Sequence, residues 1–322
     1  MNKVHFFLAF IVLLTSCNQK PVGKKISTGE LNHIAIIIDD QLWNGEIGDN
    51  VRTKFAAPVI GLAQEEPIFS INQYPAKLLE GYMTHSRNIM VIKKSTKNSY
   101  KVRKDEYAIP QNTVYIGGTS VAEILDILNN NAAEIIKLFQ ETDIKLSQQV
   151  NDSSLLNKSR LRDRFNISLD VPTGYKYAMD ENNFVWLKKD NISGNQSILI
   201  YQVPQTCLKR NSNPIDNIIK MRDSIGELYI HGTVAESRMI TEQGFAPYLT
   251  MTTLDGRKTY HTKGTWELKN DFMAGPFINY AVEDTVNKRL IIIEGFCYAP
   301  SKNKRDLVFE LRAIIETFKF LK

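Results

Sequence analysis

Asp39, Asp40, Glu46 and Asp49 fall in one short stretch, where an apolar run ends and a helical pattern begins. Carboxylates this close could share general acid and base work or hold a divalent cation. A hydrolase or glycan-processing enzyme could use such a set from Asp39 to Asp49, with Arg87 as its charge partner. The plainer reading is that Asp40 or Asn44 caps the helix while Glu46 and Asp49 complement its dipole. The offsets also lack the pattern of a calcium-binding loop. Trp43 lies inside the stretch, so Asp40, Trp43, Asp49 and Arg87 form the candidate binding set. A shared polar pocket would make them a site, and interlocked burial would make them structure.

Other reactive residue types are scattered. His33, His85, His231 and His261 show no HExxH and no paired metal spacing, so no metal and no cofactor is expected. Ser120 follows Gly117-Gly118 without a G-x-S-x-G elbow, and with Glu123 it reads as a capping box. Trp43, Trp186 and Trp266 could make a glycan or peptide platform, but aromatics in alternating strands usually fill a core. Without an ordered nucleophile, base and oxyanion set, the expectation is a non-enzymatic binding or scaffold component. A peptidoglycan or polysaccharide binding module is the further alternative.

The three cysteines divide by position. Lys3, the apolar run Val4 to Leu14, and then Leu14-Thr15-Ser16-Cys17 read as a secretory leader, too short to span a bilayer. The tetrapeptide resembles the bacterial lipobox, which makes Cys17 the acceptor for lipid, palmitate-type acyl chains included, that partition out of water. The expected layout is residues 1–16 as signal peptide and 17–30 as a polar tether. The expected place is the outer membrane of a bacterial envelope, lipid-anchored and facing the periplasm. Partners would be the membrane itself and an envelope protein or cell-wall component. A net charge of +5 over 322 residues implies no nucleic-acid partner. Basic stretches at Lys93–Lys104 and Arg160–Arg164 read as solvated faces. Cys207 and Cys297 could pair in an oxidising compartment or stay as buried thiols.

The elements that must position these residues change period along the chain. Leu31 to Ile38 is a buried strand, a short helix spans Asn44 to Phe55, and Val59 to Gln73 reads as a loop. A second short helix starts near Pro75, Asn88 to Ile92 is a strand, and a hairpin-like pair precedes Gly117. Val121, Leu125, Leu128, Ala132, Ile135 and Phe139 stripe a helix that Ser120 opens. Beyond Thr142 the stripe weakens, leaving Glu141 to Arg164 as a solvated extension or a connection. From Phe165 apolar residues alternate, and Asp255-Gly256 marks a hairpin. Asn213-Pro214 opens one late helix, and Leu307 to Phe318 stripe another. The fold class is therefore α+β: an N-terminal α/β domain over 31–160 ending in a long helix, then a C-terminal antiparallel domain over 161–322 packed by two helices. The order of its strands and closing helix resembles the fold shared by Mog1 and photosystem PsbP proteins.

Five blocks carry a family resemblance: Asp40 to Asp49, Glu66 to Phe69, His85 to Ile89, Phe272 to Phe277, and Glu294 to Pro300. Together they resemble the bacterial lipoprotein family called domain of unknown function 4837. The resemblance runs over nearly the whole chain after the tether. It implies lipoprotein status and nothing catalytic.

Overall fold

Apolar runs too continuous to face water on either side build the first sheet. Strand β1 (His33–Ile37) buries Ile34, Ala35, Ile36 and Ile37, as a parallel strand covered on both faces must. The computed structural model describes residues 24–181, 183–209 and 213–321; the expected signal peptide and Cys17 lie outside them. After β1 come two helices, α1 (Asp40–Trp43) and α2 (Glu46–Phe55), then β2 (Ser70–Tyr74) and β3 (Asn88–Lys94). Strand β4 (Ser99–Lys104) runs antiparallel to β5 (Asn112–Gly118), giving the order β2-β1-β3-β5-β4 with the other strands parallel.

Helix α3 (Val121–Asn151) begins where Ser120 Oγ accepts the Glu123 amide at 3.3 Å, one half of a capping box. Its buried Ile124, Leu128, Ala132, Ile135 and Phe139 join Val51 and Phe55 of α2 over one face of the sheet. The stretch after Thr142 is not a solvated extension: α3 runs on to Asn151 as a packed helix before the chain crosses to the second sheet. Asp143, Ile144 and Ser147 are buried there, and Ile144 packs with Phe309 and Ala313 of the closing helix.

The second sheet is antiparallel. Helix α4 (Ser159–Phe165) leads into β6 (Lys176–Glu181), β7 (Phe184–Asn191) and β8 (Gly194–Pro204). Helix α5 (Pro214–Tyr229) follows, then β9 (Arg238–Thr241), β10 (Tyr248–Leu254), β11 (Arg257–Lys269), β12 (Ala274–Asp284), β13 (Arg289–Tyr298) and α6 (Arg305–Ile315). The spatial order is β9-β11-β12-β13-β8-β7-β6, with β10 also paired to β11. Along β13, Ile291, Ile293 and Cys297 face α6, while Leu290, Ile292 and Phe296 face the α5 side. One helix thus covers each face, as the α+β reading requires. Asp255 and Gly256 both take positive φ, 48° and 71°, and Leu254 pairs with Arg257 across them, the geometry of a type I′ hairpin.

Three expectations change. Residues 70–73, the end of the stretch read as loop, belong to edge strand β2, whose side chains show no clean alternation. Phe165, Ile167, Leu169 and Val171 are all buried, yet only Ile167–Ser168 pairs, with Lys319–Phe320; alternation reports burial and not pairing. Cys207 and Cys297 are both free thiols. Cys297 sits in the core beneath α6, whereas Cys207 lines a hollow beside Lys220 and Met221 of α5. The sheet separates them, so the disulfide is not formed. Burial pushes the Cys297 thiol up to about 12, which leaves it inert.

Candidate functional site

The carboxylates that open the chain's chemistry do not converge on one site, and Asp40 and Asp49 go to different partners. Asp39 is the N-cap residue of α1, without a side-chain bond to it. Asp40 Oδ1 accepts from Gln73 Nε2 at 2.9 Å. Asp49 pairs with Arg52 at 2.7 Å, and the same guanidinium lies 4.5 Å from the Trp43 ring centre. Asp40, Trp43 and Asp49 therefore brace α1 and α2 together with Gln73 and Arg52.

Arg87 is elsewhere. It precedes β3, whereas Asp40 follows β1, and the two strands are parallel neighbours, so the sheet holds them at opposite strand ends, roughly 20 Å apart along the strands. The expected pairing of Arg87 with the acidic cluster is not made, for this topological reason. Arg87 is 5% exposed and donates to the Gly29 carbonyl at 2.6 Å and the Glu30 carbonyl at 3.2 Å. Its Nε lies 3.3 Å from Asp143 Oδ1. Asp143 Oδ2 accepts the Asn32 amide at 2.9 Å, and Asn32 Nδ2 donates to Asp306 Oδ1 at 2.9 Å. The Asp143 carboxyl is pushed up to about 6, burial outweighing Arg87.

This chain of contacts leads to the seam between the sheets. Helix α6 carries no cap of its own. Glu66 supplies one from the first half of the chain: its two carboxylate oxygens accept the Lys304 amide at 2.7 Å and the Arg305 amide at 2.8 Å. A carboxylate there satisfies orphan donors and meets the positive end of the helix dipole. Arg305 returns the contact, donating to the Pro67 carbonyl and to Ser70 Oγ, both at 3.1 Å.

Pinned this way, the segment 59–68 roofs a half-closed cavity of about 70 Å³. Val59, Ile60, Leu62 and Ile68 come from the roof, Phe277 and Ile278 from β12, and Val308 and Phe309 from α6. Gly61 has φ +95°, and a Cβ there would stand 2.8 Å from Lys263 Cβ. Only glycine lets the roof approach so closely.

Basic side chains line it. His261 and Lys263 project from β11, Arg305 and Arg312 from α6. Arg312 is compensated by Glu316 at 2.7 Å and bonded to Gln140 at 3.2 Å, and Arg305 pairs with Asp306 at 2.8 Å. Lys263 makes no hydrogen bond or ion pair among the described residues. Burial first and Arg312 second lower its ammonium to about 8, against a smaller opposing pull from Glu316. The His261 ring stacks on Tyr280 at 4.1 Å, and its Nε2 is buried without a partner. Burial, then Lys263 and Arg312, lower it to about 3, so the ring is neutral at ordinary pH.

The reading from sequence pointed to Asp40 and its neighbours and passed over Glu66, His261, Lys263 and Arg312. Glu66 did stand in one of the resemblance blocks. The others carried no local signal.

A mainly parallel sheet and an antiparallel sheet, joined by the long helix α3, make up the mixed α+β fold. The chain belongs to the family described as domain of unknown function 4837, which matches residues 154–317. Residues 27–152 match a second description, domain of unknown function 8532. The resemblance is thus narrower than its five blocks suggested, since Asp40–Asp49, Glu66–Phe69 and His85–Ile89 fall in the second match. Among solved structures, the Ran-binding protein Mog1p of Saccharomyces cerevisiae is similar at 11% identity and a TM-score of 0.32, over 49% of this chain and 91% of that one. A mutant of Mog1 gives 10%, 0.30, 49% and 92%. No curated protein matches the chain. No helix among the described residues is long and apolar enough to cross a membrane.

Proposed function

We propose that the protein is a lipid-anchored lipoprotein of the bacterial envelope, tethered to the outer membrane through Cys17, facing the periplasm and acting as a non-enzymatic binding component. One observation supports the binding reading: the seam cavity is lined by Lys263 and by His261, whose Nε2 is buried without a hydrogen-bond partner. Buried polar groups are ordinarily paired, so a partner from outside the chain is the physical completion of such a site. The address rests on Leu14-Thr15-Ser16-Cys17 following an apolar run.

The test has two readouts. Native mass spectrometry of protein taken gently from detergent-solubilised envelopes should show acyl chains on Cys17 and an added small mass on the folded body. Cys17→Ala should release the protein from the membrane fraction. Material with an intact leader, or a folded body that never carries a ligand, sinks the proposal.

A further inference from the structure

Among the described residues the antiparallel sheet ends on β6 at one side and on β9 and β10 at the other. Two of these edges are closed by the fold itself. Strand β6 carries Lys176, Asp180 and Glu181, and Arg164 donates to the Glu181 carbonyl at 2.6 Å. Short β9 has its Met239 amide on the Ile230 carbonyl at 3.0 Å and its Thr241 amide on Asp223 Oδ1 at 2.8 Å. Charge and occupied donors are how natural edges resist a further strand.

Strand β10 has neither protection. Its residues, Tyr248–Leu254, include no charge and no proline, and they pair with β11 without a bulge. The type I′ hairpin closes on Leu254 and Arg257 as a hydrogen-bonded pair. Alternation then turns the main-chain groups of Thr252, Thr250 and Tyr248 toward β11 and those of Leu249, Met251 and Thr253 outward. No hydrogen bond from a described residue reaches these outward groups. The side chains are open as well, Met251 being 51% exposed and Tyr248 45%.

We infer that this edge pairs with the same edge of a second copy of the chain, antiparallel, about a two-fold axis that passes through the Met251 pair normal to the sheet. An antiparallel partner must present outward-facing residues at the same spacing, and the strand does so to itself. Met251 falls opposite Met251 of the second copy and Leu249 opposite Thr253, which gives about six main-chain hydrogen bonds. Between them Thr250 faces Thr252 and Tyr248 faces Leu254, at the positions where side chains come closest. Threonine pairs and aromatic–aliphatic pairs stabilise such positions, and no like charges meet. A different extended chain could make the main-chain bonds, but a second copy matches the edge in length, in bond pattern and in lack of charge. The contact is isologous, so it closes at two copies.

Sedimentation equilibrium of the full chain in density-matched detergent, over about 1–200 µM, should show a reversible dimer, since a single strand pair is a small interface. Met251→Lys sets two like charges together on the axis and should weaken the dimer by about tenfold or more. Its melting temperature should stay near that of the parent, because the side chain is exposed. Met251→Cys should cross-link on mild oxidation, the two Cα atoms standing about 5.5 Å apart. Thr253→Cys lies on the same open edge but about 13 Å along the strand from its own counterpart, so it should not cross-link beyond the background that Cys207 gives the parent. A chain that stays monomeric throughout, a folded Met251→Lys that dimerises undiminished, or Thr253→Cys cross-linking ahead of Met251→Cys overturns the inference. Should Met251→Lys misfold, the two cysteine variants decide.

Discussion

Asp143 is fully buried, and its carboxyl titrates at about 6 because burial outweighs the opposing pull of Arg87. The folded value lies above the ordinary 3.8. The folded state therefore holds the proton more tightly, and the stability so gained is present below about pH 4 and lost as pH rises through about 6. The difference is on the order of 2–3 kcal/mol. Asp143→Asn should flatten the pH dependence of urea unfolding across that window; an unchanged slope would assign it to other groups. Arg87→Met should raise the Asp143 value further, as read by carboxyl NMR, and cost about 3–5 kcal/mol because it strands a buried acid. Nothing near Arg87 in the chain announces Asp143, since the partner lies on another element far along the sequence. The acidic stretch at Asp39 to Asp49 was conspicuous for the opposite reason: its members are neighbours in sequence, although Asp40 finds its partner on Gln73.

At the level of elements, periodicity and caps carried most of the information. Ser120 and Asn213 cap the helices they precede, with bonds to the Glu123 and Ile215 amides. The α6 stripe and the Asp255-Gly256 hairpin are likewise where the residue types put them. Strand β2 was hidden because an edge strand can be held by main-chain bonds while its side chains follow no clean alternation. Two glycines separate conformational need from steric need. Gly256 has φ +71° and open space around a hypothetical Cβ, so Gly256→Ala should cost about 1 kcal/mol. Gly275 has ordinary dihedrals, but its Cβ would stand 2.1 Å from the Cys297 carbonyl oxygen. Gly275→Ala must therefore part β12 from β13 and should lower the melting temperature several times as far. Equal shifts for the two variants would show that the sheet yields there.

Across the whole molecule, the decisive contact is Glu66 on the α6 N-terminus. It joins a loop of the first half to the helix that closes the second, over a separation of more than two hundred residues. Glu66→Ala should cost about 1–2 kcal/mol for the lost charged cap. It should also free the roof, so that limited proteolysis cuts within 59–68 much faster than in the parent. Protease resistance unchanged by the substitution would mean that Arg305 alone holds the roof. The cavity below was illegible in sequence because its walls come from residues near 60, 262, 277 and 309, which no local pattern links.

The seam also decides where mechanical load would go. Residues 25–26 make only a two-residue parallel pair with 108–109, Arg87 grips the carbonyls of Gly29 and Glu30, and Asn32 ties Asp143 to Asp306. Load applied at Lys24 would be borne first by the short backbone pairing of residues 25–28, then by the side chains at the join, and would reach the long ladders of either sheet last. A pull entering at Lys24 would thus strain the contacts between the two halves before either core.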